Sequence, residues 1–202
     1  MGIEQEWKLA AEDAAELDRI LSDPALGAMR TEEVRVYEMR TTYYDTPSRR
    51  FSERFYTVRR RMENDRSVLC VKAPVPGGDG AKVRGEWETE GEDMAAALPE
   101  LVAMGAPADL LEAAEEGLVP VCGAAFRRRA VTLQLPDGSL AELACDLGEL
   151  RGATESMPLC EVELELKEGE DAAAGALADE LCRRFRLRPE PRSKICRAKT
   201  LR

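Results

Sequence analysis

Charged side chains recur at every second position in several short segments of this chain. In the first segment, IEQEWKL, Glu4, Glu6 and Lys8 alternate with Gln5, Trp7 and Leu9. Successive side chains of a β-strand point to opposite faces of the sheet, so this spacing predicts a strand with one charged and one apolar face. Five later segments repeat the alternation and place on their charged faces Arg59 and Arg61; Arg84, Glu86 and Glu88; Arg128; Glu142 and Asp146; and Glu161, Glu163 and Glu165.

These residue types suit a divalent metal and a polyphosphate. Carboxylate oxygens are ligands that Mg²⁺ and Mn²⁺ prefer, and arginine and lysine groups bind phosphate oxygens. A solvated sheet surface would explain any one of the strands. It explains the whole set less well, because like charges at neighbouring positions of one face repel each other. The set therefore indicates a metal–polyphosphate site, in which a bound ligand relieves repulsion within pairs such as Arg59 and Arg61.

The elements that would position these residues are strands with inserted helices. Helical patterns cover about residues 12–22, 92–117 and 171–187, and the tail RSKICRAKTLR is predicted to carry a last short strand. MENDR and PDGS are typical hairpin turns. Eight antiparallel strands can close into a barrel that leaves no unpaired edge. We therefore expect an α+β fold, with a closed eight-stranded antiparallel barrel (a tunnel), helices packed on its outside, and a single domain over residues 1–202.

Composition excludes several other kinds of protein. The net charge of −10 over 202 residues disfavours nucleic acids and anionic membranes as partners, and no apolar run could span a bilayer. The acidic start lacks a signal-peptide core, so we expect a cytoplasmic protein. The absence of histidine removes Ser-His-Asp and Cys-His catalysis. None of the six cysteines form a C-x-x-C pair, which favours reduced thiols.

The order of the charged segments resembles the CYTH family, also called triphosphate tunnel metalloenzymes. Glu4 to Lys8 match its E-x-E-x-K motif, and YYDTP at Tyr43 to Pro47 resembles its strand-ending motif. Arg59, Arg61 and Lys72 resemble its L-R-x-R…L-K segment. Four later blocks follow in the family's order: RGEWE, AELACDLGEL, EVELELKEG and RSKICRAKTL. The similarity covers nearly the whole chain.

The resemblance implies a charged tunnel that holds a triphosphate and Mg²⁺ or Mn²⁺. It implies metal ligands at Glu4, Glu6, Glu161 and Glu163. The implied phosphate-binding residues are Lys8, Arg59, Arg61, Lys72, Arg128 and Lys194, with Arg127 and Arg129 as the alternative to Arg128. Glu86, Glu88 and Asp146 are implied to position basic residues, metal or water, and Glu4, Glu6 and Lys8 join them as catalytic residues.

The function implied by the resemblance is metal-dependent hydrolysis of a triphosphate, foremost inorganic tripolyphosphate to pyrophosphate and phosphate. Phosphoryl transfer depends mostly on positioning and electrostatics, which charged tunnel walls supply. Three alternatives remain open: a polyphosphate-binding module with little turnover, a thiamine or nucleoside triphosphatase, and a class IV adenylate cyclase. The absence of a His-Phe pair before the first strand disfavours the cyclase.

Overall fold

The computed structural model describes residues 2–74 and 84–201, with side chains from residue 5 onward. Within them, the strands are β1 (Gly2–Ala10), β2 (Arg35–Asp45), β3 (Thr57–Glu63), β4 (Arg66–Pro74), β5 (Arg84–Glu90), β6 (Val119–Gln134), β7 (Leu140–Arg151), β8 (Ser156–Glu168) and β9 (Arg188–Pro189). The helices are α1 (Ala14–Leu21), α2 (Pro24–Met29), α3 (Arg50–Glu53), α4 (Met94–Ala103), α5 (Asp109–Ala114), α6 (Asp171–Phe185) and α7 (Lys194–Ala198). No described helix has the length and apolarity needed to cross a membrane.

The strands form one large antiparallel sheet in the order β5-β4-β3-β2-β6-β7-β8-β1-β9. The prediction of a closed eight-stranded barrel is therefore wrong in strand number, since the described residues form nine. It is also wrong in the continuity of closure: β1 and β5 meet over only three residue pairs, from Gly2↔Glu86 to Glu4↔Arg84. Farther along the same edge, Leu9 and Ala10 of β1 pair instead with the two-residue strand β9. Strand β9, which takes the place of β5 beside this part of β1, follows α6 in a segment where the charge pattern predicted no strand.

Both predicted hairpins are confirmed. Asn64 and Asp65 alone separate β3 from β4, and Asn64 adopts a left-handed conformation with φ of 54° that asparagine tolerates better than most residues. Gly138, with φ of 90°, completes the PDGS turn between β6 and β7. These two turns fix the strand registers, in which Arg59 faces Cys70 and Arg128 faces Asp146. A shift of one residue would have moved every charged side chain to the other face.

The apolar faces of the strands pack against the helices. Leu9, Leu143 and Leu164 lie in one core with Leu17 of α1 and Leu181 of α6. Since burial of each such side chain contributes about 1.5–3 kcal/mol, this face is fixed to the outside of the sheet, under the helices. The charged faces are consequently turned to the inner side.

The Ala-rich helical insert covers the other half of the sheet. Val58, Leu69 and Trp87 pack against Leu98 of α4 and Leu110 of α5. The N-cap of α4 is Asp93, whose side chain accepts hydrogen bonds from two backbone N–H groups of the first turn. The insert therefore has a structural role: it buries the outer face of the strands that carry Arg59, Lys72 and Glu86 on their inner face.

The predicted strand in the tail is wrong. Residues Lys194–Ala198 form the short helix α7, and the Ser193 side chain caps it by accepting a hydrogen bond from the Cys196 backbone. Ile195 and Ala198 are buried beside Met39 and Phe126 of the sheet. This i, i+3 spacing is helical, and tertiary burial of the apolar pair stabilises a segment that is too short to be helical alone.

Candidate active site

The inner side of the sheet encloses a cavity of about 1070 Å³. The described residues that line it include ten basic and seven acidic side chains. The basic residues are Lys8, Arg59, Arg61, Lys72, Arg84, Arg128, Lys167, Arg192, Lys194 and Lys199, and the acidic ones are Glu6, Glu63, Glu86, Glu88, Glu142, Glu163 and Glu165. A chain with a net charge of −10 thus turns an excess of positive charge toward this cavity, as an anionic ligand requires.

The predicted charged faces of β3 and β5 meet Lys72 of β4 in one wall of this cavity. Arg59 Nη2 lies 3.3 Å from Glu86 Oε1, and Lys72 Nζ lies 3.2 Å from the same oxygen. Arg61 pairs with Glu88 at 3.3 Å and with Glu63 at 2.6 Å. The expectation that Arg59 and Arg61 repel each other without compensation is therefore wrong, because carboxylates of the neighbouring positions neutralise both.

Glu86 is anionic at any pH near neutrality. Burial opposes its charge, but the positive charges of Lys72 and Arg59 outweigh burial and lower its pKa to about 2. The Cys70 thiol donates a hydrogen bond to Glu86 over 3.2 Å, and burial raises the pKa of this thiol to about 12. Cys70, Glu86 and Glu88 are close enough to share a metal ion. Since the thiol remains protonated, we assign Cys70 to orienting Glu86.

Arg128, and neither of its neighbours, points into the cavity. Its guanidinium donates two parallel hydrogen bonds to Asp146, at 2.8 and 2.7 Å, and also pairs with Glu163. Arg127 is exposed beside Glu38, and Arg129 pairs with Asp18 at 2.5 Å on the helical side. The strand period explains the result, because Arg128 shares its face with the inner row of β6. Desolvation opposes the charge of Arg128, but Asp146 and Glu163 raise its pKa well above the usual value.

Lys194 reaches the cavity from α7 and lies among three carboxylates. Its Nζ is 2.8 Å from Asp146, 2.5 Å from Glu161 and 2.6 Å from Glu163. Burial disfavours the ammonium, but these three charges raise its pKa above the usual value. The side chain also lies over the ring of Phe126, at 5.1 Å. The predicted residue is therefore in place although its predicted secondary structure was wrong.

The four predicted metal ligands have different environments. Glu4 belongs to β1, but its side chain lies outside the described residues. Glu6 lines the cavity and pairs with Lys8 at 2.7 Å, and Glu163 lines it as well. Lys194 and Arg128 hold the pKa of Glu163 well below its usual value despite its burial. Glu6 and Glu163 are thus the two described members of the set that face the cavity.

Glu161 is not among the residues that line the cavity, so its predicted role as a metal ligand stays a prediction. It is fully buried and pairs with Arg197 of α7 as well as with Lys194. Burial and the nearby charge of Glu163 raise its pKa. The strand parity is correct, but α7 packs over this end of β8 and covers the side chain. Glu161 therefore holds α7 against the sheet.

The acidic cluster is suited to a cation. Oxygens of Asp146, Glu161 and Glu163 lie within 4.8 Å of one another and surround the Lys194 ammonium. Carboxylate oxygens are also the donors that Mg²⁺ and Mn²⁺ prefer. The donor chemistry of these carboxylates therefore fits the expected metal, and Glu6 and Glu163 are the predicted ligands that line the cavity.

Several lining residues were absent from the predicted site. Arg84, Glu142 and Glu165 were already on the charged faces by their parity, so the alternation alone could have added them. Arg192 and Lys199 lie on either side of α7, and Tyr43 lies on β2. All three belong to segments that resemble the family, but no alternation of charge marked them as lining residues, and the path of the tail across the cavity depends on its tertiary contacts.

Comparisons with known proteins agree with this geometry. The chain matches the CYTH domain family over residues 2–198. HpAC1 from Hippeastrum, an adenylyl cyclase candidate described as having a dominant triphosphatase activity, is 19% identical, with 98% of this chain and 95% of that chain covered and a TM-score of 0.62. The PH1012 protein from Pyrococcus horikoshii OT3 is 18% identical, with 95% and 97% covered and a TM-score of 0.55. A candidate adenylate cyclase from Bacillus halodurans is 15% identical, with 98% of both chains covered and a TM-score of 0.56. Structural similarity at such low sequence identity establishes that these proteins share the fold.

Proposed function

The chain belongs to the CYTH domain family, and from this premise we propose that it is a divalent-metal-dependent hydrolase of triphosphates. We propose that residues 1–202 act as one such domain. The minimal substrate is inorganic tripolyphosphate, which is converted with one water to pyrophosphate and phosphate. All of the basic groups named below act on phosphate oxygens alone, so a triphosphate needs no further substituent to be bound.

One observation carries this proposal: a single cavity brings together an excess of arginine and lysine with carboxylates that pair with them. A triphosphate carries several negative charges, so its affinity requires cations that are fixed before it arrives. Arg59, Arg61 and Lys72 are fixed by Glu86, Glu88 and Glu63. Arg128 and Lys194 are fixed by Asp146 and Glu163.

The basic residues bind and orient the phosphates. Arg59, Arg61 and Lys72 hold the phosphates that keep their bonds, while Arg128 and Lys194 contact the phosphoryl group next to their carboxylate partners. The charge that develops on the bridging oxygen as it leaves is stabilised by the same fixed cations. Since phosphoryl transfer passes through a loose transition state, such positioning accounts for most of the rate enhancement.

Glu6 and Glu163, with Glu4 as the third ligand predicted from the sequence, would hold the metal. A Mg²⁺ or Mn²⁺ ion held there would supply positive charge to the reacting phosphate. Glu163 accepts hydrogen bonds from Arg128 and Lys194, so its own orientation is fixed. Glu86 remains anionic and positions Arg59 and Lys72, so we do not assign it the role of general base.

A phosphate-release screen tests the proposal. Purified protein is incubated with tripolyphosphate, pyrophosphate, ATP or thiamine triphosphate, each with Mg²⁺, with Mn²⁺ and with a chelator. We expect metal-dependent release of phosphate from tripolyphosphate and no release in chelator. Tight binding of tripolyphosphate without turnover would indicate a polyphosphate-binding module and contradict the proposed hydrolase. Formation of pyrophosphate and cyclic AMP from ATP would identify a cyclase.

A further inference from the structure

Phe55 is a large apolar residue in an exposed position at the cavity. It lines the cavity, yet 78% of its surface is exposed to solvent, the largest exposed fraction among the exposed large hydrophobic residues of the described chain. A lining residue that is so exposed lies at the mouth of the cavity. Exposed single apolar residues are common, so exposure by itself does not indicate a function.

The backbone conformation at Phe55 is unfavourable for a residue with a bulky side chain. The residue follows α3 with φ of 59°, a left-handed conformation. The Phe55 N–H bonds to the Ser52 carbonyl, and the Tyr56 N–H bonds to the Phe51 carbonyl, at 3.0 and 2.9 Å. These two bonds define a Schellman motif, in which glycine is the preferred residue at the position of Phe55. A bulky side chain at this position is strained, and its exposure gives no compensating burial.

The surrounding contacts hold Phe55 rigidly in this place. Its carbonyl accepts a hydrogen bond from Arg84 Nη2 at 2.6 Å, and the same nitrogen lies 2.9 Å from the Lys72 carbonyl. Its two neighbours are both anchored to one side chain: Arg54 Nε lies 2.8 Å and Tyr56 Oη 3.0 Å from the two oxygens of Asp109. The ring is therefore presented to solvent by a fixed backbone, as in a preformed binding surface.

The position of Phe55 relates it directly to the phosphate-binding residues. Thr57, Arg59 and Arg61 line the cavity from alternate positions of β3, and Phe55 comes two residues before Thr57. The link through Arg84 ties it to Lys72, which faces Thr57 across the hairpin. Of the two ends of a triphosphate held by Arg59 and Lys72, the end on the Thr57 side would therefore lie nearer to Phe55. The cavity, at about 1070 Å³, is at the upper end of those that enclose a drug-sized ligand, which leaves room beyond the phosphates.

We propose that Phe55 is a specificity-determining residue that stacks on an aromatic ring attached to the triphosphate. This inference rests on the proposed function, since it assumes that the phosphates occupy the cavity. The ligand class is a triphosphate ester with a planar heterocycle, such as a nucleoside base or the rings of thiamine. An aromatic side chain can stack on any such heterocycle, whatever hydrogen-bonding groups the heterocycle carries, because each heterocycle presents a π-face.

Dissociation constants measured in chelator test this proposal independently of turnover. The ligands are ATP, thiamine triphosphate, ribose 5′-triphosphate and tripolyphosphate, titrated into wild type and Phe55→Gly. We expect Phe55→Gly to weaken ATP or thiamine triphosphate by about 5- to 100-fold, as expected for loss of one stacked ring. The two ligands without an aromatic ring should change less than about twofold. Whichever of ATP and thiamine triphosphate loses more affinity identifies the preferred ring.

Two further variants separate stacking from a structural effect. Phe55→Tyr keeps the ring and should retain the preference for the aromatic ligand. Met104→Ala removes another exposed apolar side chain, 47% exposed and outside the cavity lining, and should change no dissociation constant. Phe55→Gly should melt no lower than wild type, because glycine is favoured in the left-handed position.

The outcomes distinguish this inference from the proposed function. Equal changes for all four ligands, or no change for any, would overturn the stacking role while metal-dependent release of phosphate from tripolyphosphate still supported the proposed function. A wild-type protein that binds none of the four ligands, with or without metal, would overturn both.

Discussion

At the residue scale, the opposite faces of β3 predict opposite mutational effects. Arg59→Ala and Arg61→Ala each remove a cation from the cavity, so we expect each to weaken tripolyphosphate binding by about 10-fold or more, even in chelator. Arg60→Ala is the matched control, because Arg60 bonds to Ser67 and Glu92 on the outer face. Titration calorimetry gives the three dissociation constants. Loss of affinity in Arg60→Ala, with Arg59→Ala unaffected, would contradict the observed register.

Replacing the carboxylate of Glu6 tests the proposed metal site. Glu6→Gln keeps the size of the side chain but removes a negatively charged oxygen ligand, so we expect turnover to fall by about 100-fold or more. The Glu6–Lys8 pair is partly exposed, so the loss of unfolding free energy should be only about 1 kcal/mol. Phosphate release and urea unfolding measure the two effects separately. A variant with near-normal turnover would show that Glu6 holds no catalytic metal.

Glu86 gives a prediction about pH. Its folded-state pKa of about 2 lies below the usual 4.5, so its ionisation stabilises the fold above pH 4.5. This contribution, on the order of 3 kcal/mol at most, should decline as the pH falls from about 4.5 to about 2. The difference in unfolding free energy between wild type and Glu86→Gln should therefore shrink over that range in urea titrations. Glu92→Gln on the exposed outer face is the control, and we expect it to show little difference at any pH.

At the element scale, Asp45 connects the end of β2 with two helices. It is almost fully buried and accepts hydrogen bonds from the Thr46 and Phe51 backbone and from Ser52 of α3, while Lys199 Nζ after α7 lies 3.3 Å away. Burial opposes its charge, but these donors lower its pKa below the usual value. Asp45 therefore fixes the position of the short helix that carries Lys194 into the cavity.

Replacing Asp45 should affect both stability and activity. Asp45→Asn cannot accept all of these bonds, so we expect a loss of about 2–4 kcal/mol and a fall in Tm on the order of 5–15 °C. Turnover should fall as well at a temperature where the variant is folded, because α7 loses an anchor. Ser48→Ala removes only a surface hydrogen bond to Glu116 and is the control. Unchanged turnover in folded Asp45→Asn would show that α7 is held by its other contacts alone.

At the scale of the whole molecule, the charge distribution predicts that ligand and stability are linked. A ligand that binds only the folded chain at 100 times its dissociation constant adds about 2.7 kcal/mol, which corresponds to a rise in Tm of about 5–10 °C for a chain of this size. Tripolyphosphate should produce this rise in a thermal melt, and chloride of equal ionic strength should not. The Arg59→Ala/Arg61→Ala double variant should lose most of the rise.

The same double variant also tests the pairing inside the empty cavity. Repulsion between two uncompensated arginines would make the variant more stable than wild type without ligand. The observed pairs with Glu86, Glu88 and Glu63 predict the opposite, since removing both arginines takes two cations away from three neighbouring carboxylates, of which Glu86 still keeps Lys72. A higher Tm of the ligand-free double variant would therefore contradict these ion pairs.

The sequence by itself determined which side chains share a face. The alternation of charged and apolar residues is a local property with a period of two, so it placed Glu6, Arg59 and Glu163 on charged strand faces, and all three line the cavity. It also identified the family over nearly the whole chain, because the charged segments occur in a characteristic order.

The tertiary structure alone decided the closure of the sheet, the state of the tail and the selection among the arginines 127–129. The nine-stranded arrangement depends on β9, a two-residue strand with no local signal. The tail is helical because Ile195 and Ala198 are buried against the sheet, and Glu161 is covered because α7 packs there. Each of these features arises from contacts between residues that are distant in sequence, which no local period encodes.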